Sequence, residues 1–262
     1  MKKLLALTFA FAVLIGMIGC EGGTTGEPTN FVIAANTAGD QVVLTWDEPT
    51  EGTPDEYVVY FDGDTVATVQ ALTYTHDPAG ATGDYKVAAK LGSDEFDSDV
   101  LSTTPIHTVA TDLFELNVVG NSGYGWSLTT GAGTTYSMAT DVNAASIDFY
   151  LSNYLADGTT LPYGIWAPDC EPADPGHTVT TGAWRVTAIG KTLITDPQAI
   201  LPLHSTTTYA QYCDMASFPA YIAIYTVDGY YALTGVAAAP NAGKVQIETW
   251  FQLVKGLRLI AH

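Results

Sequence analysis

Apolar and polar residues alternate with a period of two along most of this chain, and turn-forming residues cut the alternation about every eight to twelve positions. That pattern suits half-buried strands and little else. In Gln41-Val42-Val43-Leu44-Thr45-Trp46, the side chains of Val42, Leu44 and Trp46 fall on one face of an extended segment, and Asp47-Glu48-Pro49 ends it. Tyr57, Val59 and Phe61 repeat the alternation, and Asp62-Gly63 supplies a hairpin turn into residues 65–69. Leu72-Thr73-Tyr74-Thr75 and Tyr85-Lys86-Val87-Ala88-Ala89 flank a turn at Asp77-Pro78-Ala79-Gly80. Roughly seven short strands between residues 29 and 104 predict a β-sandwich.

The second half continues in the same manner. Residues 113–119, 146–151, 183–189 and 246–254 read as strands, and Asp228-Gly229 joins two further runs, 221–227 and 230–234, in the strongest hairpin signal of the chain. Asn241-Ala242-Gly243 then turns into a last strand, completing a three-stranded meander. Along that strand Val245, Ile247, Thr249, Phe251 and Leu253 share one face, opposite Gln246, Glu248, Trp250 and Gln252. The expected fold is all-β: one sandwich over residues 29–104, a boundary at Ser102-Thr103-Thr104-Pro105, and a second antiparallel β-sandwich or jelly roll over residues 106–262.

Three patterns in the first half occur in the order found in one known family. They are Val42-x-Leu44-x-Trp46-x-x-Pro49, Tyr57-x-Val59-Tyr60 and Gly83-x-Tyr85-x-Val87-x-Ala89, and with them the segment resembles a fibronectin type III domain. The resemblance implies a spacer or binding module without a catalytic centre. It also casts Tyr85 as a corner tyrosine whose hydroxyl bonds back to nearby backbone. The chain contains no Arg-Gly-Asp.

Residues 1–19 have the makeup of an export signal. Lys2 and Lys3 precede an uncharged apolar run over residues 4–18, which is short of the ~20 residues a spanning helix needs. The run ends in Met17-Ile18-Gly19-Cys20, which resembles the lipobox of bacterial lipoproteins, with Met17 where Leu is usual. The resemblance implies cleavage before Cys20, acylation of that cysteine, and an exported protein anchored by lipid to the bacterial cell envelope or outer surface. Residues 20–28, rich in Gly and Thr, then form a flexible tether. The formal net charge of −19 becomes −21 once Lys2 and Lys3 are removed. Such a balance excludes a nucleic-acid partner, since affinity for phosphate backbones comes from Lys and Arg. It also leaves membrane association to the N-terminal lipid rather than to headgroup electrostatics.

Few residues point to chemistry. Cys170 and Cys213 remain as an even pair in an oxidising compartment, which predicts a disulfide. The alternative is a metal site completed by His177 or His204. It lacks the Cys-x-x-Cys or His-x-x-x-His spacing, so neither metal nor cofactor is expected. Acidic clusters at Asp94, Glu95, Asp97 and Asp99, and at Asp55, Glu56, Asp62 and Asp64, lack a calcium-loop pattern and suit a solvated surface better. Gly120-Asn121-Ser122-Gly123 superficially suggests a serine nucleophile. Tyr124 stands where that motif needs a second Gly, and no helical stretch follows.

Only residues 153–212 resist a strand assignment, being rich in proline. Long ordered loops often carry ligands, and here Tyr163, Trp166 and Asp169 could stack a sugar ring and accept its hydroxyls. The alternative is that they cap the sandwich end. Glu115, Glu171 and Glu248 are the only glutamates after residue 105, and no two acids are visibly paired for glycoside hydrolysis. The sequence therefore favours a non-catalytic lipoprotein that binds a glycan or protein, or serves structure, through its C-terminal β domain. The competing class is a hydrolase of extracellular polysaccharide or peptide, with the first domain as spacer.

Overall fold

The computed structural model describes residues 26–154, 160–170 and 183–262. The segments expected to be an export signal and, up to residue 25, a tether lie outside the described residues, as do Cys20, Glu171 and His177. Among the described residues the regular secondary structure is almost entirely strand. The first half forms β1 (Thr29–Ala35), β2 (Val42–Asp47), β3 (Glu56–Phe61), β4 (Asp64–Val69), β5 (Thr73–His76), β6 (Asp84–Leu91), β7 (Asp94–Asp97) and β8 (Leu101–Ser102). The second half forms β9 (Ile106–Phe114), β10 (Gly123–Trp126), β11 (Gly133–Tyr136), β12 (Phe149–Tyr154), β13 (Thr160–Trp166), β14 (Ala188–Gly190), β15 (Tyr209–Ala210), β16 (Tyr212–Asp214), β17 (Ala220–Tyr225), β18 (Tyr231–Val236) and β19 (Lys244–Phe251). A short 3₁₀ helix covers Asp141–Ser146.

In the first sandwich, the sheet β1-β2-β5 faces the sheet β4-β3-β6-β7, with β8 pairing beside β6. The alternation sets which side chains meet between them: Val42, Leu44 and Trp46 from β2 pack on Tyr57, Val59, Tyr85 and Val87. Asp62 and Gly63 both take positive φ, 49° and 87°, as the two-residue turn between β3 and β4 requires. Tyr85 is fully buried, and its hydroxyl lies 2.8 Å from Nδ1 of His76 instead of meeting backbone. Burial holds His76 below the usual imidazole range, so the ring is neutral and can accept the phenol proton. Leu257 and Leu259, from the opposite end of the sequence, complete this core.

The second half builds two larger sheets. One runs β11-β10-β12-β13-β16 and the other β15-β14-β17-β18-β19-β9. Leu113, Tyr124, Trp126, Phe149, Ile165 and Phe251 are among the side chains buried between them. Within that core Thr249 is fully buried, and its hydroxyl satisfies both the Tyr124 hydroxyl at 2.9 Å and the Trp126 indole N–H at 3.1 Å. Gln252 is buried too, its amide donating to the carbonyls of Thr103 and Leu259 at 2.8 Å each. The last strand thus has the two faces expected of it.

Several elements depart from the sequence expectation. The Pro-rich stretch after residue 153 contains β13, β14, β15 and β16. Of residues 183–189, only 188 and 189 join a strand, because Arg185 turns into ion pairs with two carboxylates. Strand β9 ends at Phe114, and Leu116 instead packs outside the sandwich with Met138, Ile147, Tyr150 and Trp166.

Candidate functional site

The outer face of the sheet containing β17, β18 and β19 is divided. Toward one end Ala223, Leu233, Tyr231 and Trp250 are covered by Leu201 and Ile260. Toward the other the face is open, and a groove of about 230 Å3 lies on it, lined by Tyr221, Gly235, Gln246, Glu248, Trp250 and Ala110 among others. Register explains this grouping. Tyr221 on β17 is paired with Gly235 on β18, which is paired with Glu248 on β19, so the three form one row across the sheet. Gln246 and Trp250 stand two residues either side of Glu248 and project to the same face.

Gly235 shapes the floor. A Cβ there would sit 2.9 Å from the Tyr221 ring and 3.4 Å from Trp250, so any side chain would displace the tyrosine. Trp250 is 6% exposed and stacks on two imidazoles, with ring centroids 5.1 Å from His107 and 4.0 Å from His262. Little of its surface is therefore left open to the groove. Glu248 Oε2 lies 3.5 Å from His107 Nε2, with its side chain 47% exposed. At the corner, Lys244 pairs with Asp112 at 2.8 Å and by that hydrogen bond holds the carboxyl below its usual range.

The residues nominated by sequence do not converge. Tyr163 and Trp166 are three apart on β13, so their side chains point to opposite faces: Tyr163 packs toward the core between the sheets, Trp166 into the outer cluster. Trp166 is 3% exposed, its ring stacked on Tyr212 at 4.4 Å and its indole N–H donating to the Ser152 carbonyl at 3.1 Å. It offers no ring face to a sugar. Asp169 follows in the turn after β13, and one of its carboxylate oxygens is buried without a hydrogen-bond partner.

Contrary to expectation, no disulfide joins Cys170 and Cys213 among the described residues. Alternation along the strands accounts for this. Cys213 on β16 is paired with Ile165 and lies in the core between the sheets, whereas Cys170 packs against the cluster on the other side of the same sheet. The sheet stands between them. Burial pushes the Cys213 thiol up to about 11, so it packs as a small apolar side chain.

One charged cluster was not legible in the sequence. Asp148, fully buried, accepts from Arg185 Nε at 2.7 Å through one oxygen and from the Trp126 backbone N–H at 3.1 Å through the other. Arg185 also pairs with Asp228 in the β17–β18 turn. Burial pushes the Asp148 carboxyl up to about 6 while Arg185 pulls against it. Two acids thus converge, but on a guanidinium that engages both, which leaves neither placed to attack or protonate a substrate.

The remaining motifs are structural. Ser122 is buried, and its hydroxyl donates to the Glu115 carbonyl at 3.4 Å. In the acidic clusters Asp97 pairs with Lys86 at 2.8 Å, Glu56 pairs with Lys90 at 3.2 Å, and Asp55 accepts from the Gly92 N–H at 2.8 Å. Among the described residues no group of three or more His, Cys, Asp or Glu is placed to hold a metal ion. No family model matches the chain, and no curated protein matches it.

Proposed function

We propose that this chain is a non-catalytic exported lipoprotein of the bacterial cell envelope. Acylated Cys20 anchors it, the fibronectin type III-like sandwich spaces it from the membrane, and the second sandwich binds a partner through the open half of the β17-β18-β19 face. The groove carries this reading: an aromatic ring, a glycine floor and two polar side chains stand together on rigid, paired strands. In the Pro-rich corner, in contrast, Trp166 is buried.

A hydrolase is the competing class, and the convergence of Asp148 and Asp228 is what favours it. Arg185 occupies the space between those carboxylates, and a substrate would have to displace it. Mass spectrometry of the mature N-terminus tests the anchor. The expected product begins at Cys20 and carries the mass of acyl chains, about two being needed for stable anchoring. An unmodified Cys20, or cleavage elsewhere, would contradict it.

A further inference from the structure

Resting on that assignment of the binding face, we infer that the groove takes a neutral sugar ring within an oligosaccharide or polysaccharide. Its volume, about 230 Å3, is below the ~300–1,000 Å3 of pockets for drug-sized ligands, and suits a single ring more than a folded epitope. Tyr221 offers an aromatic surface against which the C–H face of a pyranose can pack. Glu248 and Gln246 stand on the neighbouring strand, where a carboxylate can accept hydroxyl protons and an amide can both donate and accept.

Charge narrows the ligand further. The groove lining contains no Lys or Arg, and Lys244 at its corner is engaged by Asp112, so nothing there would hold a phosphate, sulfate or uronate. A basic peptide finds little either. Asp112 is engaged by Lys244, and Glu248 is the one acid of the groove lining, so no pair of acids faces it. A neutral peptide would need backbone partners. The groove floor is formed by β17, β18 and β19, whose backbone groups pair with neighbouring strands except at the β9–β19 irregularity opposite Glu248, which leaves a peptide few of them. Hydroxyl-rich and uncharged is the chemistry that remains.

The test is calorimetric titration of the full chain with cellohexaose, maltohexaose and chitohexaose, beside hexagalacturonate and hexalysine as charged probes. The inference expects at least one neutral hexamer to bind, and affinity to fall about tenfold or more in both Tyr221→Ala and Glu248→Gln, with the thermal midpoint of Glu248→Gln unchanged. Gly235→Val, which pushes the Tyr221 ring aside, should do the same. Binding of hexagalacturonate or hexalysine that is lost in Tyr221→Ala would overturn the neutral-sugar inference while leaving the face as the binding surface. No binding by any neutral hexamer up to about 10 mM, or neutral binding indifferent to all three substitutions, would overturn the inference as well. The footprint of the anchored protein on cells, described in the Discussion, then judges the binding face separately.

Discussion

Leu257→Ala and Leu259→Ala should each lower the unfolding free energy of the first sandwich by about 2–5 kcal/mol, although both lie at the far end of the chain. Each leucine is fully buried among Val42, Leu44, Trp46 and Tyr85. The segment carrying them is also tied down by polar contacts. The Arg258 N–H donates to the Gly39 carbonyl at 2.7 Å, its guanidinium donates to the carbonyls of Ala38 and Leu201, and the Thr82 hydroxyl donates to the Ala261 carbonyl at 2.7 Å. Deleting residues 257–262 removes all of these and empties two core sites. Against a total stability of ~5–15 kcal/mol for an ordinary domain, that loss is enough to unfold the sandwich. Urea titration followed through Trp46, the only tryptophan before residue 105, checks it. A change within about 0.5 kcal/mol for Leu257→Ala would show that the tail is not part of this core.

The second large effect is electrostatic. Arg185→Met should cost about 3–5 kcal/mol near pH 8, because Asp148 is then left as an unpaired buried carboxylate. The deficit should shrink on acidification. In the native wild type burial pushes the Asp148 carboxyl up to about 6, above the usual carboxylate range, so the folded state holds its proton more tightly. Its contribution to stability is therefore fully present below that usual range and is lost as pH rises through about 6. Without Arg185 the folded value rises further, since the cation that favours the ionised carboxylate is gone. The variant's carboxyl then neutralises at a higher pH than the wild type's, and most of the gap closes by about pH 5. Asp228→Asn should cost about 1 kcal/mol or less, its side chain being 34% exposed. Urea titrations across this pH range decide the matter. A deficit independent of pH would assign the loss to packing of the arginine stem instead.

These two features show where sequence and structure part. Strands with clean alternation, such as β2, β6 and β19, were legible because period two and a buried face impose each other. The tail was not, since Leu257 and Leu259 belong to a run too short to show a period, and the core they join lies more than 150 residues away. Residues 183–189 looked like one strand because apolar residues flank Arg185, and nothing local reveals two carboxylates that converge on it. Expecting a disulfide used the redox compartment alone, which says nothing about which side of a sheet each cysteine faces. Tyr163 and Trp166 could have been separated in advance: an odd spacing on a strand sends side chains to opposite faces, but Pro162 and Pro168 made the segment look like a loop. The groove depends on Tyr221, Gly235 and Glu248 sharing a row. Only strand register supplies that, although the alternation already placed Gln246, Glu248 and Trp250 on one face.

The most direct test of the proposed binding face is hydroxyl-radical footprinting of the protein on intact cells, compared with the purified chain. Tyr221 reports on the groove, and Tyr212, which is 41% exposed beside Trp166, reports on the Pro-rich corner. Oxidation of Tyr221 should fall on cells while that of Tyr212 stays at its purified level. Protection of Tyr212 with Tyr221 oxidised equally in both settings would contradict the account and return the binding site to the corner.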